Sequence, residues 1–99
     1  MRFFKRHWDG LRGDDYDAWG TAVYYFEVEA DGSPVSHMEL YENGNALLYD
    51  RDHEEDEYGM MADQPLDLEE FAEFEIEEKE FKRVLKKLAP LNRRAQPPA

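Results

Sequence analysis

Val35-Ser36-His37-Met38-Glu39-Leu40-Tyr41-Glu42-Asn43-Gly44-Asn45-Ala46-Leu47-Leu48-Tyr49-Asp50 is the stretch on which the fold turns. Two runs of alternating apolar and polar residues flank Asn43-Gly44, the pair that most strongly favours a two-residue hairpin turn because both positions tolerate positive φ. A two-residue turn pairs Glu42 with Asn45. It thereby sets Tyr41 opposite Ala46, Glu39 opposite Leu48 and His37 opposite Asp50. Met38 and Leu40 then share a face with Leu47 and Tyr49.

Working toward the N-terminus, Asp31-Gly32-Ser33-Pro34 is a turn by chemistry. Residues 20–30 before it are rich in β-branched and aromatic side chains and read as a strand. Its apolar alternation, Ala22, Tyr24, Phe26 and Val28, is expected to lie beside Met38 and Leu40. The opposite face would hold Val23, Tyr25, Glu27, Glu29, His37, Glu39, Tyr41 and Asp50, and would be wet and acidic. Arg2–Trp8 reads as a first strand, and residues 9–19, rich in Gly and Asp, as a loop.

Toward the C-terminus, residues 51–64 form an acidic loop, and residues 66–74 a short helix or turn with Leu68, Phe71 and Phe74 inward. Phe81, Val84, Leu85 and Leu88 then recur at helical spacing, with acids ahead of them and Lys86 and Lys87 behind, as the helix dipole favours. Pro90 ends that helix. The chain is thus expected to be α+β: an antiparallel sheet of about four strands with a C-terminal amphipathic helix packed on one face. Residues 1–90 make a single domain and residues 91–99 a flexible basic, proline-containing tail.

The 99 residues contain no cysteine, which excludes disulfides, thiolate nucleophiles and cysteine-held metals and fits a reducing cytoplasm. The first residues are basic but lack the apolar core of a signal peptide. Charge is the strongest feature, at −12 overall. Residues 1–13 carry +3, residues 14–80 carry −21 and residues 81–99 carry +6. Such a middle section repels nucleic acid and anionic membranes and attracts basic partners.

No cofactor motif is present, and the metal motifs fail on spacing. Counted from Asp50, the sixth and twelfth positions of a calcium loop are Glu55 and Met61; counted from Asp15, they are Gly20 and Phe26. His53-Glu54-Glu55-Asp56-Glu57 lacks the second histidine of a zinc helix, so no metal is expected. In the register above, His37, Asp50, Glu39 and Glu27 would meet on the wet face, where a carboxylate could orient a histidine for acid–base work. Nothing nearby supplies a nucleophile or an oxyanion site, which weighs against an enzyme.

Aromatic residues bracket the acids, an arrangement that protein interfaces use as anchors. The expected contact set is Asp14, Asp15, Asp17, Trp19, Asp52, Glu54, Glu55, Asp56, Glu57 and Tyr58. It implies a basic protein partner, with a homodimer formed by the basic ends and the acidic middle as the alternative.

Arg6-His7-Trp8-Asp9, Trp19-Gly20-Thr21, Tyr25-Phe26-Glu27, Glu39 with Tyr41 and Asn43-Gly44, Glu55-Asp56-Glu57-Tyr58-Gly59 and Leu66-Asp67-Leu68 together resemble an uncharacterised family of short acidic bacterial proteins. In that family the final helix often carries a Trp, where Val84 and Leu85 stand here. In size, charge and architecture the chain is also similar to immunity proteins of toxin systems. That similarity implies a cytoplasmic protein that neutralises a basic toxin by binding it.

Overall fold

The computed structural model describes residues 1–93. Strands β1 (Arg2–Trp8), β2 (Ala22–Val28), β3 (Pro34–Tyr41) and β4 (Ala46–Asp50) form an antiparallel meander. The two-residue strands β5 (Glu55–Asp56) and β6 (Gly59–Met60) make a separate small hairpin. One helical turn, α1 (Leu68–Phe71), leads through a 3-10 turn to β7 (Glu75–Ile76). β7 pairs with β1 as the fifth strand, in the order β4-β3-β2-β1-β7. The expected sheet of about four strands thus gains one, because Glu75 and Ile76 return to the free edge of β1 opposite Phe4 and Phe3.

The ten-residue helix α2 (Glu78–Lys87) follows. It buries Phe81 against Phe3, Tyr25 and Met38, with Val84, Leu85 and Leu88 packed around them. It does not close the chain. Leu91–Arg93 forms a 3-10 turn against β4, and the Asn92 side chain pairs with the backbone of that edge strand. Its amide donates to the Leu48 carbonyl at 3.0 Å and its oxygen accepts from the Leu48 N–H at 3.0 Å. The first three residues of the expected tail are therefore part of the domain, covering an edge that would otherwise present unpaired backbone groups. The remaining residues of that tail lie outside the described residues.

The β3–β4 turn departs from the two-residue expectation, and the register of β4 changes with it. Tyr41 and Asn45 close the hairpin, leaving Glu42-Asn43-Gly44 as a three-residue loop. Gly44 sits at φ +92°, where a type I turn followed by a left-handed residue needs it. Asn43 Oδ1 accepts the Asn45 N–H at 2.9 Å, and the Glu42 carboxylate is drawn back to the Thr21 N–H and hydroxyl. Register shifts by one residue, so Glu39 faces Leu47, His37 faces Tyr49 and Ser36 faces Asp50. A one-residue slip moves side chains to the other face. His37, Glu39 and Tyr41 thus share a face with Leu47 and Tyr49. The β2–β3 pairing differs from expectation in its own right: Tyr24 faces Glu39 and Phe26 faces His37, while Met38 and Leu40 lie beside Tyr25 and Val23 and share their face with Leu48.

Both faces are covered. The α2 side takes Phe3, Tyr25 and Met38, and the other packs Ala22, Tyr41, Leu47 and Tyr49 beneath Met61, Trp19 and Tyr58 from the loops. The face expected to be wet and acidic is instead enclosed at its centre: His37 and Glu39 are both 5% exposed. Gly32 fixes one loop end, because at φ +92° a Cβ there would stand 2.5 Å from the Leu66 carbonyl oxygen.

Replacing Asn92 with Ala should cost roughly 1–3 kcal/mol, the penalty for leaving a strand's donor and acceptor unpaired. Urea denaturation measures it. A change within error would mean that water replaces the amide without loss.

Candidate functional site

The sheet face away from α2 carries a row running from Arg6 through Tyr24 to Glu39 and Leu47 across β1 to β4. Over it folds the 9–20 loop, which inserts Arg12. The Arg12 guanidinium donates to Asp14 at 2.9 Å, to the Tyr41 hydroxyl at 2.9 Å and to the Tyr58 carbonyl, and stands 3.7 Å from Glu39. It also lies over the rings of Tyr16, Trp19 and Tyr41. Burial works against its charge, but the bonds to Asp14 and Tyr41 outweigh that and raise its pKa above the ordinary value. One side chain thus ties the 9–20 loop, the β5–β6 hairpin and the sheet together.

Below it, Glu39 is enclosed. The Tyr41 hydroxyl donates to one of its oxygens, and His37 Nε2 lies 2.8 Å from the other. Burial, then the Glu39 carboxylate, pushes the Tyr41 hydroxyl well above its usual range. Burial and the same charge also raise Tyr24. A buried carboxylate bonded on both oxygens and facing a guanidinium is a satisfied ionic cluster, and its chemistry is to hold the loops in place.

A second cluster holds the acidic segment. Asp56 accepts from the Tyr49 hydroxyl at 2.8 Å, the Asn92 amide at 2.9 Å and the Tyr58 N–H at 2.9 Å, with His53 Nε2 2.7 Å away. Burial pushes its carboxyl up, and the bonds from His53, Asn92, Tyr49 and Tyr58 more than offset this, lowering it to about 2.

The expected contact residues fall into two groups. Asp15, Asp52, Glu54, Glu55 and Glu57 are exposed. Asp14 pairs with Arg12, Asp17 accepts the N–H groups of Gly13 and Asp14, and Asp56 is the hub just described. Trp19 and Tyr58 are half-buried and stack with Tyr16 and with each other. The fold nonetheless brings the two acidic loops together. Asp14 and Asp15 on one side and Glu55 and Glu57 on the other line a single groove of about 480 Å³. Tyr16 and Tyr58 stand within it, their ring centroids 5.4 Å apart.

The acid–base constellation does not assemble. His37 and Glu39 are bonded on one face, whereas Asp50 and Glu27 lie on the other, opposite and beside Ser36. Asp50 accepts from Arg93, and Glu27 accepts from the Ser36 hydroxyl. The one-residue register shift of β4 separates Asp50, and the β2–β3 pairing separates Glu27. Among the described residues, no group of three His, Asp or Glu could hold a metal ion, and no helix is long and apolar enough to cross a membrane. Comparison with protein-family models, with curated proteins and with solved structures finds no match to this chain.

Next to the groove, and sharing Arg12, Asp14, Tyr58, Gly59 and Met60 with it, lies a cleft of about 410 Å³. Arg12 and this cleft were missed in the sequence. The only available signal was one cation in an acidic Gly-rich loop.

Two outcomes are expected. Arg12→Ala should destabilise by about 3 kcal/mol or more, because Glu39 loses its buried counter-charge; a loss under about 1 kcal/mol, read by urea denaturation, would contradict the cluster. Asp56 contributes stability above the ordinary carboxyl pKa, and that stability is lost as pH falls from about 4 toward 2. Its pKa difference corresponds to about 2 kcal/mol. Asp56→Asn should lower stability at pH 7 by a similar amount and flatten this acid limb, and an unchanged limb would remove Asp56 from the account.

Proposed function

We propose that this chain is a cytoplasmic protein-binding module that seats a basic partner in the groove between its two acidic loops. The observation that carries the reading is the convergence of Asp14, Asp15, Glu55 and Glu57 from separate segments beside Tyr16 and Tyr58. Ion pairs within the chain neutralise Asp14, but Asp15, Glu55 and Glu57 have no such partner among the described residues. Charge of this kind chiefly accelerates association and selects the partner, and aromatic rings supply the contact area. A loop groove that covers a basic surface also suits the neutralising, immunity-type role that the sequence resembles.

A second reading has its own support. Lys82, Arg83, Lys86 and Lys87 on α2 are exposed and carry no ion-pair partner among the described residues. They lie on the side of the sheet away from the groove. A second copy could therefore present α2 to the first in a head-to-tail contact. Sedimentation at low and high salt separates the two: a salt-sensitive dimer supports self-association, and a monomer at both leaves the groove for a foreign partner.

The groove is tested with an octalysine peptide as probe and fluorescence anisotropy as readout. Asp15→Lys, Glu55→Lys and Glu57→Lys together should weaken binding about 10-fold more than reversal of Glu69, Glu73 and Glu78, which changes net charge equally. Asp56 is kept intact, since its reversal would unmake the hub. Equal losses from the two triple variants would reject the groove and leave only diffuse negative charge.

A further inference from the structure

The described residues include four well-exposed large apolar side chains, and three of them stand around one opening. Trp8 is 53% exposed, Leu11 55% and Met60 55%, and all three line the cleft beside the acidic groove. Single exposed apolar residues are ordinary, but a ring of them around a concavity marks a contact site. The walls are largely aromatic: Tyr24, Phe26, Tyr41, Tyr58 and Phe71. Ala22, buried in the row between Trp8 and Tyr41, leaves the space that a larger residue on β2 would fill.

The charges lining the cleft are already matched. Arg12 holds Asp14 and faces Glu39, and Arg6 bonds Glu70 at 3.2 Å while stacking over Phe71 and Phe74. No surplus charge is left to select an ionic ligand, so what the cleft offers is apolar and aromatic surface. Its volume, about 410 Å³, sits in the lower part of the range of roughly 300–1,000 Å³ typical of ligand pockets.

We propose that the cleft receives an uncharged aromatic side chain of the basic partner, flanked in that partner by Lys or Arg residues that occupy the groove. This rests on the groove reading above, and two observations join the sites. They share Arg12, Asp14, Tyr58, Gly59 and Met60, so an extended segment leaving the cleft enters the groove directly. The groove's unmatched acids complement the flanking cations. Anchor in the cleft and charge in the groove divide the work: the ring slows dissociation, and the lysines speed encounter.

The test uses two series of lysine-rich octapeptides, one carrying a single Phe at each position in turn and the other Ala. Binding is measured by anisotropy at two salt concentrations. At the best position Phe should tighten binding about 10-fold over Ala, as one buried anchor does, with no change in salt dependence. The double variant Trp8→Ala, Leu11→Ala removes exposed side chains that line the cleft and not the groove, and should bring that advantage below about twofold while lysine binding persists. Equal affinity of the Phe and Ala peptides at every position overturns the cleft and leaves the groove standing. A Phe advantage that survives both substitutions places the ring elsewhere and also overturns it. Failure of every peptide to bind overturns cleft and groove together, whereas a Phe advantage in peptides whose affinity is unchanged by Asp15→Lys, Glu55→Lys and Glu57→Lys keeps the cleft and removes the groove.

Discussion

Arg12 is the constraint on which the loop side of the molecule depends. The sheet can form from its own hairpins, and α2 covers one face with Phe81 and its neighbours. The other face is roofed by two irregular, acidic segments that reach it through Trp19, Tyr58 and Met61. A guanidinium presents several donors in a fixed fork, and here that fork reaches Asp14 in its own loop, Tyr41 on β3 and the Tyr58 carbonyl in the β5–β6 hairpin. Glu39 beneath it supplies the counter-charge, and His37 and Tyr41 satisfy that carboxylate in turn. Remove this cation and a buried carboxylate is left without its counter-charge beneath two loops joined by the stacking of Tyr16 and Trp19 on Tyr58.

The anionic surface follows from the same arrangement. Carboxylates that build the fold are tied up: Asp17 caps its loop, Asp67 caps α1, Glu42 clasps Thr21, and Asp56 gathers Tyr49, His53 and Asn92. Those around the groove's outer lip, Asp15, Glu55 and Glu57, are not used in this way. Acids that build the fold and acids without an ion-pair partner among the described residues are therefore interleaved along the chain, with Asp56 lying between Glu55 and Glu57.

Much of the fold was legible in the sequence. β1 matched its expected limits, and β2, β3 and β4 fell within a few residues of theirs, because their aromatic and β-branched content and their turn residues agree. The error came from Asn43-Gly44, which marks a hairpin but does not fix its length. Thr21, twenty-one residues away, draws on Glu42 and helps to make the loop three residues long. That single residue separated His37 and Glu39 from Asp50, while the β2–β3 pairing, which sets Phe26 against His37 and Tyr24 against Glu39, separated them from Glu27 and placed them in the core. The acidity of the groove was legible as composition, since both acidic loops line it. Its division into buried and free carboxylates was not, because Asp56 differs from Glu55 and Glu57 only through tertiary partners such as Asn92, which itself read as tail.

The most direct check on Arg12 as the tie is NMR of its side chain. The account predicts a resolved, slowly exchanging Arg12 Nε–H at neutral pH, with nuclear Overhauser contacts from the Arg12 side chain to the rings of Tyr41 and Trp19. A signal exchanging as fast as that of an exposed arginine, without those contacts, would contradict it.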